Sequence, residues 1–171
     1  MVLTACPRGG ASSSSPDQRG FTLIELVMVL VLAGVLAVFA APRLFSTGDF
    51  NARGFQDETL SLLRYAQKAA IAQRRTVCVT FAGTSGASLT IASAPATYTC
   101  NTPLSGPKGD SPATITARPG VAYSAAPTSF NFDGLGQAVN TSGAQVATQT
   151  IQVINAASAT TVETVTGYVH E

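Results

Sequence analysis

The sequence predicts an α+β fold in which a long N-terminal helix is packed on an antiparallel β-sheet. Three patterns indicate this fold. Residues 21–41 form an apolar run in which Glu25 is the only charged side chain. Residues 50–75 repeat apolar side chains at three- and four-residue spacing, which is typical of an amphipathic helix. After residue 76, short alternating segments rich in β-branched residues are separated by turn signals, which is typical of strands.

The apolar run is long enough to cross a membrane as a helix. Its 21 residues would reach about 30 Å, the thickness of the hydrocarbon core, at a rise of about 1.5 Å per residue. Arg8 and Arg19 precede the run, which favours a cytoplasmic N-terminus and places the residues after Arg43 on the other side. We therefore expect a single-pass membrane protein.

Two other export signals are weaker interpretations of the same region. A secretory signal peptide has a shorter apolar core and ends at small residues. Residues 38–42 contain such residues, but Pro42 would follow the cut and disfavours cleavage. Residues 3–6 resemble a lipoprotein signal, although no apolar stretch precedes Cys6.

Glu25 is the unusual residue of the apolar run. A carboxylate inside lipid costs about 2.5–3.5 kcal/mol on insertion scales, so such a side chain normally has a partner. A cut between Gly20 and Phe21 would create an α-ammonium group four residues before Glu25. The alternative is that Glu25 lies near the interface and stays hydrated.

The stretch Gly20-Phe21-Thr22-Leu23-Ile24-Glu25-Leu26 resembles the type III signal of type IV pilins and type II secretion pseudopilins. The resemblance implies that a prepilin peptidase cleaves between Gly20 and Phe21 and methylates the amino group of Phe21. It also implies that Glu25 pairs with the Phe21 ammonium of a neighbouring subunit during assembly. Pro42 matches a helix kink of the family.

The resemblance implies a pilin-like architecture with four parts. They are a leader peptide at 1–20, a transmembrane and filament-core helix at 21–41, an amphipathic helix at 42–75, and a periplasmic β-rich domain at 76–171. The implied location is the bacterial inner membrane and then a pilus or pseudopilus. The implied partners are other pilins or pseudopilins, the prepilin peptidase, an inner-membrane assembly platform and inner-membrane lipid.

Looser similarities concern the β-rich domain. Residues 129–136 and 163–169 resemble the H-type minor pseudopilins, and residues 63–72 and 166–169 resemble the C-type minor pilin of the mannose-sensitive haemagglutinin (MSHA) pilus. They imply a minor pilin that primes assembly near the tip of an MSHA-type pilus, another type IV pilus or a type II secretion pseudopilus.

The element pattern predicts one nearly continuous helix from about residue 21 to 73, bent around 42–48. The strand candidates are 76–81, 88–92, 114–117, 121–124, 129–132, 150–154, 161–165 and 167–170. Residues 93–112, rich in Pro, Ser, Thr and Gly, are predicted to be irregular.

The cysteines follow from the membrane prediction. Cys6 precedes the apolar run, whereas Cys78 and Cys100 follow it. On the oxidising side of a membrane these two can pair, which would contribute about 3 kcal/mol. The alternative is two buried free thiols.

The sequence offers no constellation for catalysis, for a metal or for another cofactor. His170 is the only histidine and lies one residue from the end. Asp110 and Asp133 are turn acids, and a calcium site built on them is a disfavoured alternative. We expect a structural protein and no enzyme.

Nucleic-acid binding is also disfavoured. Without residues 1–20 the chain has eight basic and eight acidic side chains, and Arg74-Arg75 is the only basic doublet. Phosphate contacts need several cations on one face. A tip adhesin or DNA-capturing minor pilin, with residues 93–112 as the contact surface, is the alternative function.

Overall fold

The computed structural model describes residues 21–44 and 47–171, with the backbone alone for 38–44 and 47. The predicted leader at 1–20 lies outside the described residues. The chain divides into two compact units between Arg43 and Leu44. The predicted α+β class is confirmed, because the second unit packs a helix on an antiparallel sheet.

The first unit contains helix α1, Leu23–Leu44, except for its last residue. Every side chain from residue 21 to 37 is exposed, including the apolar ones on all sides of the helix. The sequence predicts a membrane-crossing helix at 21–41, whereas no helix within 21–44 and 47–171 combines the length and hydropathy of a membrane span.

Helix α2, Thr47–Gln73, begins the second unit. The amphipathic pattern predicted for it is confirmed, because the apolar positions at three- and four-residue spacing are buried. The buried residues are Ala52, Phe55, Leu62, Leu63, Ala66, Ala69 and Ala70. The predicted bend around 42–48 includes residues 45–46, which lie outside the described part of the chain.

Helix α2 ends in a tight turn that uses an unusual residue. Arg74 follows the helix with φ of 50°, in the left-handed region. The amide of Arg75 donates to Ala70 O and the amide of Arg74 donates to Ile71 O. These two bonds form a Schellman motif, in which glycine normally occupies the left-handed position.

Nine strands follow α2 and form two antiparallel sheets. The larger sheet has the order β3-β2-β1-β5-β6, and β4 also pairs with β2. Its strands are β1 (Val77–Phe81), β2 (Gly86–Ile91), β3 (Thr102–Pro103), β4 (Thr114–Thr116), β5 (Phe130–Phe132) and β6 (Ala138–Val139). The smaller sheet has the order β7-β8-β9, with strands Gln149–Gln152, Ala159–Val162 and Val169–His170.

The strand predictions differ from the structure in three places. Residues 93–112 were expected to be irregular but contain β3, which pairs with the second half of β2. Strand β6 was not predicted, because two residues are too few to show alternation. Residues 121–124 were predicted as a strand, but they contribute only an isolated bridge between Tyr123 and Val153.

A small polar cluster lies between α2 and the smaller sheet. Thr59 Oγ1 donates to Phe55 O and lies 3.0 Å from the Tyr123 hydroxyl. Gln56 Nε2 donates to Thr160 Oγ1 at 2.8 Å. Burial raises the pKa of Tyr123 to about 12. Because these groups are buried, the bonds hold α2 against the smaller sheet, although Gln56 Oε1 has no hydrogen-bond partner among the described residues.

A disulfide fastens a long loop across the outer face of the larger sheet. Cys78 in β1 is bonded to Cys100, with a Cα–Cα distance of 6.0 Å. The buried side chain of Asn131 donates to Tyr98 O in the same loop, at 3.1 Å. The sequence left a disulfide and two free thiols open, and the structure has the disulfide.

We expect the Cys78→Ser/Cys100→Ser variant to lose about 3 kcal/mol of unfolding free energy. The bond closes a loop with a sequence separation of 22, and opening it enlarges the unfolded ensemble. Urea unfolding of the oxidised protein measures the loss. A reducing agent should bring the wild type to the level of the variant and leave the variant unchanged. An equal midpoint for both oxidised proteins would contradict this expectation.

Tyr123 should make the protein sensitive to alkali. The folded state holds the phenolic proton up to a pH of about 12, whereas the unfolded chain releases it near pH 10. The contribution is fully present below pH 10 and is lost between about pH 10 and 12, by about 2–3 kcal/mol.

Urea unfolding at pH 9 and pH 11.5 tests this expectation. Tyr123→Phe should show a smaller alkaline loss than the wild type. At pH 9 the same variant should be less stable by about 1 kcal/mol, because its hydrogen bond with Thr59 is missing. Tyr168, which is 58% exposed, supplies the matched control as Tyr168→Phe, which should keep the wild-type alkaline loss. An equal loss in Tyr123→Phe would show that this phenol is not responsible.

Candidate processing and assembly site

The candidate site begins at the first turn of α1. Thr22 precedes the helix, and its hydroxyl accepts a hydrogen bond from the Glu25 amide at 3.3 Å. Its carbonyl accepts a hydrogen bond from the Leu26 amide. Thr22 is therefore the N-cap of α1, and Glu25 occupies the third helical position, as in a capping box.

The capping role of Thr22 was not predicted from the sequence. The signal was present, because Thr22-x-x-Glu25 directly before an apolar run is the pattern of a capping box. Part of the reason for an acid at position 25 is therefore local. A carboxylate in the first turn also interacts favourably with the positive end of the helix dipole.

Capping alone does not satisfy the carboxylate. Glu25 is exposed on a helix whose neighbouring side chains are apolar, including Leu23, Ile24 and Met28. Within residues 21–44 and 47–171, the structure gives the Glu25 carboxylate no cationic partner. When another apolar surface covers this helix, the carboxylate loses its water and needs a cation.

Phe21 lies on the N-terminal side of the helix cap. It precedes the first helical residue, Leu23, and its side chain is 79% exposed. Gly20, on the other side of the predicted cleavage point, lies outside the described residues. Phe21 is thus accessible and lies outside regular structure.

The predicted disulfide residues lie in the second unit, and so does His170, which was not predicted as a site residue. Cys78 and Cys100 fasten the loop described above. His170, the only histidine, lies 3.1 Å from Glu163 through its Nε2 and stacks on Tyr168. The hydrogen bond with Glu163 raises the pKa of His170. This pair ties the end of the chain to the residues that follow β8.

The two turn acids have local roles. The Asp133 carboxylate accepts hydrogen bonds from the amides of Leu135 and Gln137, which closes the turn between β5 and β6. The Asp110 carboxylate accepts one from the amide of Thr114. Among the described residues, no group of three His, Cys, Asp or Glu side chains is arranged to hold a metal ion.

Comparison with known proteins places the same N-terminal region in a family context. A family described as "Prokaryotic N-terminal methylation motif" matches residues 15–41. The chain is 39% identical over 66 residues to the type IV major pilin protein PilA of Myxococcus xanthus, covering 37% of this chain and 29% of that protein. No solved structure matches the chain significantly.

A second relative is covered over most of its length. The chain is 34% identical over 91 residues to PilA5 of Thermus thermophilus, the major component of a type IV narrow pilus. The match covers 48% of this chain and 78% of that protein. With the methylation motif and an α+β fold that packs a helix on an antiparallel sheet, these matches show that the chain belongs to the type IV pilin family.

Proposed function

We propose that the chain is a structural subunit of a type IV filament, with α1 as the part that enters the filament core. One observation carries the proposal: every apolar side chain of α1 described between residues 21 and 37 is exposed. A helix that is apolar on all sides must be covered by lipid or by other helices. The packed second unit leaves this segment to make contacts between subunits.

Processing supplies the chemistry that the acid needs. Prepilin peptidase cuts between Gly20 and Phe21, and the amino group of Phe21 is methylated and remains cationic. The Phe21 ammonium of one subunit then pairs with Glu25 of its neighbour. At 4 Å such a pair is worth about 4 kcal/mol at an effective dielectric constant of about 20, before desolvation. A wrong stagger leaves both charges buried and unpaired, so the pair selects the correct register.

The same apolar surface supports a stage before assembly. We propose that the segment holds the subunit at the inner membrane, with the second unit in the periplasm. The subunit there meets the prepilin peptidase and the assembly platform. The Cys78–Cys100 bond fits an oxidising compartment. Association with the membrane is tested by extracting membranes with alkaline carbonate, which should leave the chain in the pellet.

The position in the filament is a finer proposal. The sequence similarities at 63–72, 129–136 and 163–169 favour a minor subunit that primes assembly near the tip, in an MSHA-type pilus or a type II secretion pseudopilus. The second candidate is a repeated shaft subunit, which is favoured because both curated relatives are described as major components. Immunogold labelling of isolated filaments separates the two, since a shaft subunit is labelled along the whole length.

The mass of the mature chain tests the proposed processing. We expect chain from isolated filaments to begin at methylated Phe21 and to lack residues 1–20. Intact-mass measurement and N-terminal sequencing detect both changes. Gly20→Asp should keep the full length and stay out of the filament. A filament-borne chain that still carries its first 20 residues would contradict the proposal.

The role of Glu25 is tested by removing its charge. Glu25→Ala should still reach the membrane, because the apolar surface of α1 is unchanged, but its incorporation into filaments should fall at least tenfold. The missing pair is worth more than the roughly 1.4 kcal/mol that corresponds to a factor of ten. Glu25→Asp, which keeps the charge, should retain more assembly. Equal filament yields from all three chains would show that the carboxylate has no role in assembly.

A further inference from the structure

An open groove lies at the C-terminal end of α2. It has a volume of about 670 Å³ and lies between the helix end, the disulfide-fastened loop and the turn after β5. Its apolar lining is Ile71, Ala96, Tyr98 and Leu135. Ile71 is 48% exposed and Leu135 is 77% exposed. The groove therefore presents apolar surface that nothing in the second unit covers.

Two glycines bring the turn close to the helix end. A Cβ atom at Gly134 would lie 3.1 Å from the Arg74 carbonyl carbon, and one at Gly136 would lie 2.7 Å from Ile71 Cδ1. Gln67 Nε2 donates to Gly136 O at 3.1 Å and holds the turn there. The turn after β5, which forms one wall of the groove, is thus held in place by its packing against the end of α2.

The groove also carries a cation at a position where the backbone favours glycine. Arg74 lines the groove and has a φ of 50°. Asp133 also lines it, but its carboxylate already accepts hydrogen bonds from the amides of Leu135 and Gln137. A left-handed backbone is unfavourable for a residue with a Cβ atom, so arginine at this position lowers the stability of the unit relative to glycine.

The opposite end of the same helix carries a complementary feature. Phe50, in the first turn of α2, is 75% exposed. Asp49 precedes it and is also exposed. Arg53 follows one turn later, so this end has no strong net charge. The aromatic ring is the main apolar feature here, and Asp49 is the acid beside it.

We propose that Phe50 of a second copy of this chain docks in the groove, with Asp49 of that copy beside Arg74. The proposal rests on the proposed filament role, in its shaft form. The ring and the groove lie at opposite ends of one helix, so the contact is head-to-tail and leaves both ends open for further copies. If the α2 helices of the two copies are parallel, Phe50 of one copy lies level with Ile71 of the other. One helix is then shifted by about 31 Å along its axis relative to the other.

Cysteine cross-linking in isolated filaments tests the contact. In the variant Phe50→Cys/Leu135→Cys, oxidation should produce a ladder of dimers, trimers and larger species on a non-reducing gel. Each single variant should give dimers at most. The matched control, Phe50→Cys/Ser61→Cys, places the second thiol at an exposed site on the same helix and should give no ladder.

The outcomes separate this contact from the filament role itself. Filaments that lack the wild-type chain altogether overturn the proposed function and the contact together. Filaments that contain the chain but give no ladder overturn the contact alone. The contact alone is also overturned if the variant Leu30→Cys/Leu135→Cys forms cross-links between subunits, because the groove would then be covered by helix α1 of another subunit.

Variants that keep the stability of the wild type separate an effect on docking from an effect on folding. Arg74→Gly relieves the left-handed strain, so it should melt no lower than the wild type while filament yield falls about threefold. Phe50→Ala should lower the yield about tenfold with an unchanged melting temperature, because the ring is exposed in the subunit. Asp49→Arg should lower the yield, and Asp49→Arg/Arg74→Asp should recover it. Wild-type yield from both Phe50→Ala and Arg74→Gly would overturn the proposal.

Discussion

The second unit depends on one contact, the packing of the apolar face of α2 against β1. The face is built from small and medium side chains, with Ala66 and Ala70 fully buried beside Leu63. Alanine allows the helix to lie close to the sheet, and Val77 and Val79 of β1 fill the facing side. The sheet can therefore leave its other face to polar residues and to the fastened loop. Without this helix, the sheet would expose its apolar side.

The two helices are similar in length but differ in how their apolar side chains are covered. Helix α2 has one apolar face and buries it within its own unit, whereas the described side chains of α1 are exposed all round. An apolar surface that its own unit does not cover has to be covered by something else. In the proposed assembly, this requirement accounts for the acid at position 25. Its unfavourable burial would be offset when a cation arrives with the covering subunit, which would link correct assembly to charge neutralisation.

The sequence was most informative where a single segment determines the outcome. The 3.6-residue period gave the buried face of α2, and the β-branched alternation gave β1, because both depend only on neighbouring residues. The pairing of β3 and β6 was missed, since two-residue strands take their conformation from partners distant in the chain. The left-handed backbone of Arg74 could not be predicted from the sequence, because residue propensities assign that conformation to glycine. The groove was also invisible, because three separate segments form it.

The disulfide connects the stability of the second unit to the shape of the groove that we propose as a docking surface. The loop residue Tyr98 lines the groove, and its carbonyl is held by Asn131, two residues before the Cys100 bond to β1. A loop rich in Pro, Ser and Thr would otherwise sample many conformations, and ordering it at the moment of docking would weaken the contact. In the proposed contact, fastening the loop during folding would remove that cost from assembly. The covalent bond, the buried amide and the glycine turn would then act together, because each fixes one wall of the groove before a neighbouring subunit docks.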